Sequence, residues 1–436
     1  REALPNRIGV WITSQANQNL VGGATAALGN VISGNRDVGV FLAADNNSVQ
    51  GNLIGTSLAG NSAVPNETGI LIDKGANNAI GGAAAGAGNV ISGNAEHGVL
   101  IQRGTSSGNK IEGNLIGTVA AGTRALPNKE GVMITAPGNT VGGEATGAAN
   151  VISGNERNGI YLKGIEAAGN ILAGNLIGAN KSGTRVVPNK VGVLIEDAPL
   201  NTIGGTSGGG NVIVGSHFQG VKITGPEATG NTLVGNSIGI NSASGADLPN
   251  HEGVRIADGA SGNTIGGEQP GAANEIAFNE GRGVWVSDGT ANRVSRNSIH
   301  DNAALGLDLG AIGPSSNATA QAESGANNSQ PFPLIEYATL NESRLEIKYS
   351  VFRRTMNSRS PITIEFFLAD AADEEGQTFL GRDIYTELNK ATARFPVGEA
   401  VSAGSRIVAT ATDALGNTSE FTPAALVDLV FAEFSS

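Results

Sequence analysis

The feature that most constrains this chain is a sentence it repeats. NVISGN occurs at 30–35, 89–94 and 150–155, with eroded copies NVIVGS at 211–216 and NEIAFN at 274–279. Pro-Asn returns at Pro5, Pro65, Pro127, Pro188 and Pro249, in steps of 60, 62, 61 and 61 residues. A finer word, Gly-(Val/Ile)-x-(Ile/Leu/Val), starts at Gly9, Gly39, Gly69, Gly98, Gly131, Gly159, Gly192, Gly220, Gly253 and Gly283, with a variant at Gly306. Each long period therefore holds two turns of a solenoid. The last step, from Gly283 to Gly306, is 23 residues, so a bare turn has about that length and the longer ones carry insertions.

Each turn contains three short words, two of the form Asn-x-(Ile/Val/Leu) and one beginning with Gly. Apolar residues alternating with small or polar ones at period two are a strand pattern, and Asn and Gly at the joints supply tight turns. Gly, Asn and β-branched residues make helices poor candidates. Three short strands per turn, stacked on the next turn, make a parallel β-helix filled by a column of Val, Ile and Leu. The recurring Asn94, Asn155 and Asn279 are expected to stack as an amide ladder that saturates corner backbone groups.

The words GNVISGN, GNLIGT and NTIGG resemble those of secreted bacterial right-handed parallel β-helix repeat proteins of the pectate-lyase-like superfamily, over residues 5 to about 310. That resemblance implies an extracellular or cell-surface location. It leaves activity open, because the superfamily contains lyases, hydrolases, epimerases and noncatalytic adhesins. After Gly310 the repeat stops. A stretch at 313–333, rich in Ser, Asn and Ala, reads as a linker or surface crossing. Alternating runs follow at 344–351, 362–369, 393–397, 406–413 and 424–431, the pattern of a β-sandwich. ATATDALGNTSEF (409–421) resembles the small sandwich module that often follows such β-helices.

The expected fold is thus all-β: a right-handed parallel β-helix of about 10–11 turns over 1–312, then a small antiparallel β-sandwich over 334–436. Because ALPNRIGVWI (3–12) matches the second half of a turn, the N-terminal end is expected to meet an upstream segment or a partner, self-association included.

A net charge of −12 disfavours nucleic acid as a partner, and no apolar run approaches the roughly 18 residues of a membrane span. With no Cys, thiol chemistry is excluded. No metal or cofactor motif is present; Asp258 and Asp288 with nearby carbonyls are the most a calcium ion would find.

Two constellations point to function. In the Gly-initiated strand the residue between the inward pair points outward. Turn by turn that position is Trp11, Phe41, Leu71, Leu100, Met133, Tyr161, Leu194, Lys222, Arg255, Trp285 and Asp308. Seven consecutive apolar residues, at about 4.8 Å per turn, form a stripe roughly 30 Å long. Cover by long loops or the C-terminal module, an oligomer interface, and stacking on sugar rings all suit it. Trp11, Phe41, Met133, Tyr161 and Trp285 are the ligand-contact candidates. The last third of the column turns polar: Lys222, Arg255, His251, Asp258 and Asp288 are candidate catalytic groups for proton abstraction or acid–base work on a polysaccharide. A solvated charged face near a solenoid end is the plainer reading of the same residues. A binding or structural module directed at polysaccharide is the leading expectation, and a polysaccharide-degrading or -modifying enzyme the alternative.

Overall fold

In the computed structural model, described for residues 5–25, 27–315, 317, 325–352, 360–372, 375–386 and 391–429, the repeat winds into a parallel β-solenoid of about ten turns. Three parallel sheets run along it. Sheet 1 holds eleven strands from Ile8–Ile12 to Leu307–Leu309, sheet 2 ten from Leu20–Gly22 to Arg293–Ser295, and sheet 3 ten from Val31–Ile32 to Ser298–His300. Register is kept word for word: Met133 pairs with Tyr161, Tyr161 with Leu194, and Leu194 with Lys222. Inward positions such as Ile160, Leu162, Leu172 and Ile177 are fully buried and make one continuous core. The strand-initial glycine is required by this stacking. A Cβ on Gly159 would lie 2.7 Å from the Gly192 carbonyl of the next turn and 3.0 Å from the Asn189 amide.

Three asparagine ladders, one at each corner, hold the turns together. The first runs from Asn19 through Asn47, Asn78 and Asn109 to Asn292. The second runs from Asn30 through Asn52, Asn89 and Asn114 to Asn297. The third contains the expected Asn94, Asn155 and Asn279 and ends at Asn302. Asn114 shows the unit. Its Oδ1 accepts from the backbone and side-chain N–H groups of Asn89 at 3.0 and 2.9 Å, while its Nδ2 donates to Ile80, Glu112 and Asn150. One side chain thereby pairs backbone groups that water cannot reach.

The 61-residue period has a physical origin in the insertions. Antiparallel hairpins leave alternate turns at 56–63, 118–125 and 179–186, and a fourth pairs Ile240–Asn241 with Ala246–Asp247. Each foot accepts a bond from the corner glycine of the preceding plain turn: Gly93 N–H donates to Leu126, Gly154 to Val187 and Gly215 to Leu248. Hairpins also bond to each other, Ala120 N–H to Gly60 O and Lys181 N–H to Gly122 O, both at 2.8 Å. At the other corner the small-residue loops do the same, accepting from Gly51, Gly113, Gly174 and Gly235. The plain corners from Gly34 to Gly215 and from Gly51 to Gly235 are covered by the next turn's insertion, so the true repeat is a pair of turns.

The C-terminal module is a mixed seven-stranded sheet wrapped nearly closed around Tyr349, Phe366 and Tyr385. Its two layers share the strand Ala425–Leu429, which pairs parallel with Pro333–Asn341 and antiparallel with Arg406–Thr412. Two strands, Pro333–Asn341 and Gly376–Tyr385, add to the runs expected from sequence, and 430–431 of the last run lie outside the described residues. Of the stretch read as a linker, residues 316 and 318–324 also lie outside them. Asn327, within that stretch, is fully buried and continues the first ladder: its Oδ1 accepts from Asn292 N–H at 3.0 Å. The module closes the last turn in the same way elsewhere. Arg296 N–H donates to Glu365 (3.1 Å), Asn302 N–H to Glu375 (2.9 Å), Leu309 N–H to Glu420 (3.0 Å) and Asp301 N–H to Asp370 (3.2 Å).

The third ladder has one defect. At Ser216 the repeat supplies a hydroxyl where its neighbours supply an amide, and that oxygen is buried with no hydrogen-bond partner. Ser216→Asn should restore the rung and raise stability by about 1 kcal/mol, whereas Asn114→Ala should cost roughly 1–3 kcal/mol by orphaning its partners. Thermal melting of the two variants against the parent checks both signs.

Candidate functional site

The outward column lies on sheet 1 and the structure leaves it open. Trp11 is 60 % exposed, and Phe41, Leu71, Leu100, Met133, Tyr161, Leu194, Lys222, Arg255 and Trp285 are half-buried, sheltered mainly by the residues stacked above and below them. The C-terminal module meets the solenoid at its last turns, where Gly376–Tyr385 packs on Ser298–His300. The C-terminal module is therefore not what flanks the middle of the stripe. Trp11 and Phe41 touch, with ring centroids 5.9 Å apart.

The stripe is one residue wide. On one side runs a buried row in which the polar groups Thr68, Glu130, Asn158, Gln219 and Glu252 are interrupted by Val38 and Val191. Glu130 accepts from the Asn158 backbone and amide at 3.0 and 2.9 Å, and burial pushes its carboxyl above the ordinary range despite those bonds. Gln219 donates to Glu252 at 2.8 Å. On the other side lie Asp73, Gln102, Lys163, Glu196 and Thr224. The Tyr161 hydroxyl donates to Glu196, and Lys163 sits 5.6 Å from the Tyr161 ring. Burial first, then the Glu196 bond, raises the Tyr161 phenol, so it stays a donor at physiological pH.

In the last third the column becomes a packed cation–aromatic cluster. Trp285 has the Arg255 guanidinium 4.0 Å and the Arg282 guanidinium 4.6 Å from its ring, and its indole N–H donates to Gly310 O at 3.0 Å. Arg282 joins Glu252 (3.2 Å) to Asp308, which has no exposed surface and whose carboxyl is raised by burial. Lys222 stands beside Arg255 in register, with no ion-pair partner among the described residues.

The other candidate catalytic groups stand apart from this pair. His251 precedes the strand Glu252–Ala257 and lies 3.6 Å from Glu280, and both are exposed. Asp258 follows the same strand and accepts from the Thr224 hydroxyl at 2.5 Å. The six-residue strand Glu252–Ala257, roughly 20 Å long, separates His251 from Asp258. A single acid–base site needs its groups within hydrogen-bond reach of one substrate. Asp288 is exposed at the same corner as Asp258. Among the described residues no group of three or more His, Cys, Asp or Glu side chains has metal-binding geometry.

Sequence reading found the column but not the polar rows beside it. Glu130 and Asn158 occupy equivalent positions in successive turns, and that shared position is the signal that identifies them. The chain matches no protein-family model, and no curated protein matches it significantly.

Removing Arg282 should be costly, because it leaves Glu252 and Asp308 buried without a counter-charge. Arg282→Met is expected to lose about 3–5 kcal/mol at neutral pH. Part of that loss should be recovered on acidification, since Asp308, already raised by burial, can then protonate. Melting temperature followed from pH 7 to pH 4 measures both effects.

Proposed function

We propose that this chain is a rigid binding module that receives an extended polysaccharide along the outward column of sheet 1, acting outside the cell or at its surface. The carrying observation is the form of the column: an apolar strip one residue wide from Trp11 to Leu194, bordered on one side by Asp73, Gln102, Lys163 and Glu196 and along part of the other by buried polar groups. A protein partner of ordinary affinity buries a broad patch, about 800 Å² on each side. A sugar chain is a narrow ribbon with apolar ring faces and hydroxyl edges, and it matches a narrow strip with polar margins. Aromatic and aliphatic groups at Phe41, Met133 and Tyr161 supply the ring contacts, and Gln102, Lys163 and Glu196 border them.

The solenoid also suits the task energetically. Its side chains are held in register by neighbouring turns, so little freedom is lost when a ligand lies along them. Catalysis is the second reading, favoured by one observation: Lys222, an unpaired cation next to Arg255, sits on the same strip.

Co-sedimentation with a panel of neutral and acidic polysaccharides tests the binding reading. Wild-type protein should bind at least one, and the double variant Met133→Ala/Tyr161→Ala should bind it at least tenfold more weakly, a loss of about 1.4 kcal/mol. Retained affinity in a folded double variant contradicts the assignment of the face. Release of unsaturated products or reducing ends that stops in Lys222→Ala would establish the enzyme reading instead.

A further inference from the structure

We propose that the C-terminal module is a cap whose hold on the last turn of the solenoid is controlled by pH: mildly acidic conditions lock it and alkaline conditions loosen it. The geometry of the joint carries this. The last turn ends in backbone N–H groups that earlier turns satisfy from the next turn along, the Asn302 position with an asparagine side chain and the Arg296 and Asp301 positions with backbone carbonyls of insertions. Here the module supplies the acceptors, and four of them are the carboxyl groups of Glu365, Glu375, Glu420 and Asp370, all buried. Glu375 stands directly in the third ladder, bonded to both the backbone and the side-chain amide of Asn302. Glu420 takes its two bonds from the backbones of Leu309 and Ser315. Glu375 and Glu420 are buried against neutral donors, where a carboxylate is costly to ionise, whereas Glu365 also has the Arg296 guanidinium 3.7 Å away.

The charged groups around the joint push in one direction. Burial raises Glu375 to about 8, with Asp370 adding to the shift and the Asn302 bonds and His300 opposing it. Glu365 and Glu420 are also raised by burial. Arg296 and Arg293 oppose the first shift, and Asp308 reinforces the second. Arg296 is shared with Glu268, which Arg382 of the module also contacts. His300, packed edge-on against Phe278, lies between Glu275 (3.5 Å) and Asp301 (2.8 Å), and these bonds raise it.

A carboxyl raised in the folded state gives its full support below its ordinary value near 4.5 and loses it as pH climbs through the raised value. A raised histidine likewise supports the fold while protonated and ceases to do so as pH rises. Only Glu275, lowered by His300, works the other way, and its contribution fades as pH falls below the ordinary carboxylate range. The joint is therefore firmest in mild acid and weakens as pH rises toward about 8.

Hydrogen exchange on the full chain reads this directly, with each amide corrected for its intrinsic rate at each pH. Protection of the Asn302 and Leu309 amides relative to Ile152, in the middle of the solenoid, should fall at least tenfold between pH 6 and pH 9. In Glu375→Gln, which cannot ionise, the fall should be markedly smaller. A ratio in the wild type that stays flat or rises with pH overturns the proposal, whether or not the variant folds. A variant that folds and loses protection as steeply as the wild type also overturns it.

Discussion

A corner buried between stacked turns has backbone groups that neither a strand nor water can satisfy, and the structure depends on how this chain meets that demand. Asparagine answers it because one short side chain carries both an acceptor and two donors. Placed at the same point of every turn, it bonds the backbone of its neighbours and the amide of the next asparagine. Each ladder is only as good as its ends and its gaps, since an unmet buried group costs roughly 1–3 kcal/mol. Ser216 is such a gap. The module that covers the last turn is built around the same requirement, offering Asn327 and Glu375 where the first and third ladders would otherwise stop, and Glu365 to the Arg296 N–H beside the end of the second.

The ladders also explain why sheet 1 can serve as a surface. With the corners fixed by amides and the interior filled by Val, Ile and Leu, the outward positions are released from any structural duty and can vary. The chain uses that freedom unevenly. From Phe41 to Leu194 the column is apolar. From Lys222 onward it joins a cluster in which two guanidiniums crowd one indole and a third group, Asp308, is sealed beneath Arg282. The first part presents a strip, and the second a rigid boundary near the capped end.

Much of this was legible in the sequence because a solenoid reports itself through period. The Gly-initiated word located every strand of sheet 1, and the outward letter of that word, Tyr161 among them, could be read directly. The asparagines were expected at one corner and prove to serve three, since the words before Leu53–Ile54 and after Thr13 follow the same grammar with less exact spelling. The joint was not legible. Glu365 sits between Ile364 and Phe366 in an alternating strand and reads as a solvent-facing charge, yet the solenoid buries it. Glu375 and Glu420 lie in turns with no periodic signal, and Asn327 falls in a stretch whose composition resembles a linker. These residues owe their roles to a contact between two parts of the chain, and no local pattern encodes such a contact. The candidate catalytic set shows the complementary limit: His251 and Asp258 are close in sequence, but an extended strand keeps them far apart in space.

The measurement that bears most directly on the central claim is a footprint along the solenoid. Hydroxyl-radical labelling with and without a bound polysaccharide should show protection along sheet 1 at Phe41, Leu71, Leu100, Met133 and Tyr161, with the exposed hairpin residues Leu58 and Val186 unchanged. Protection confined to the hairpin ridge or to the ends of the solenoid, with sheet 1 labelled as in the free protein, would contradict the account.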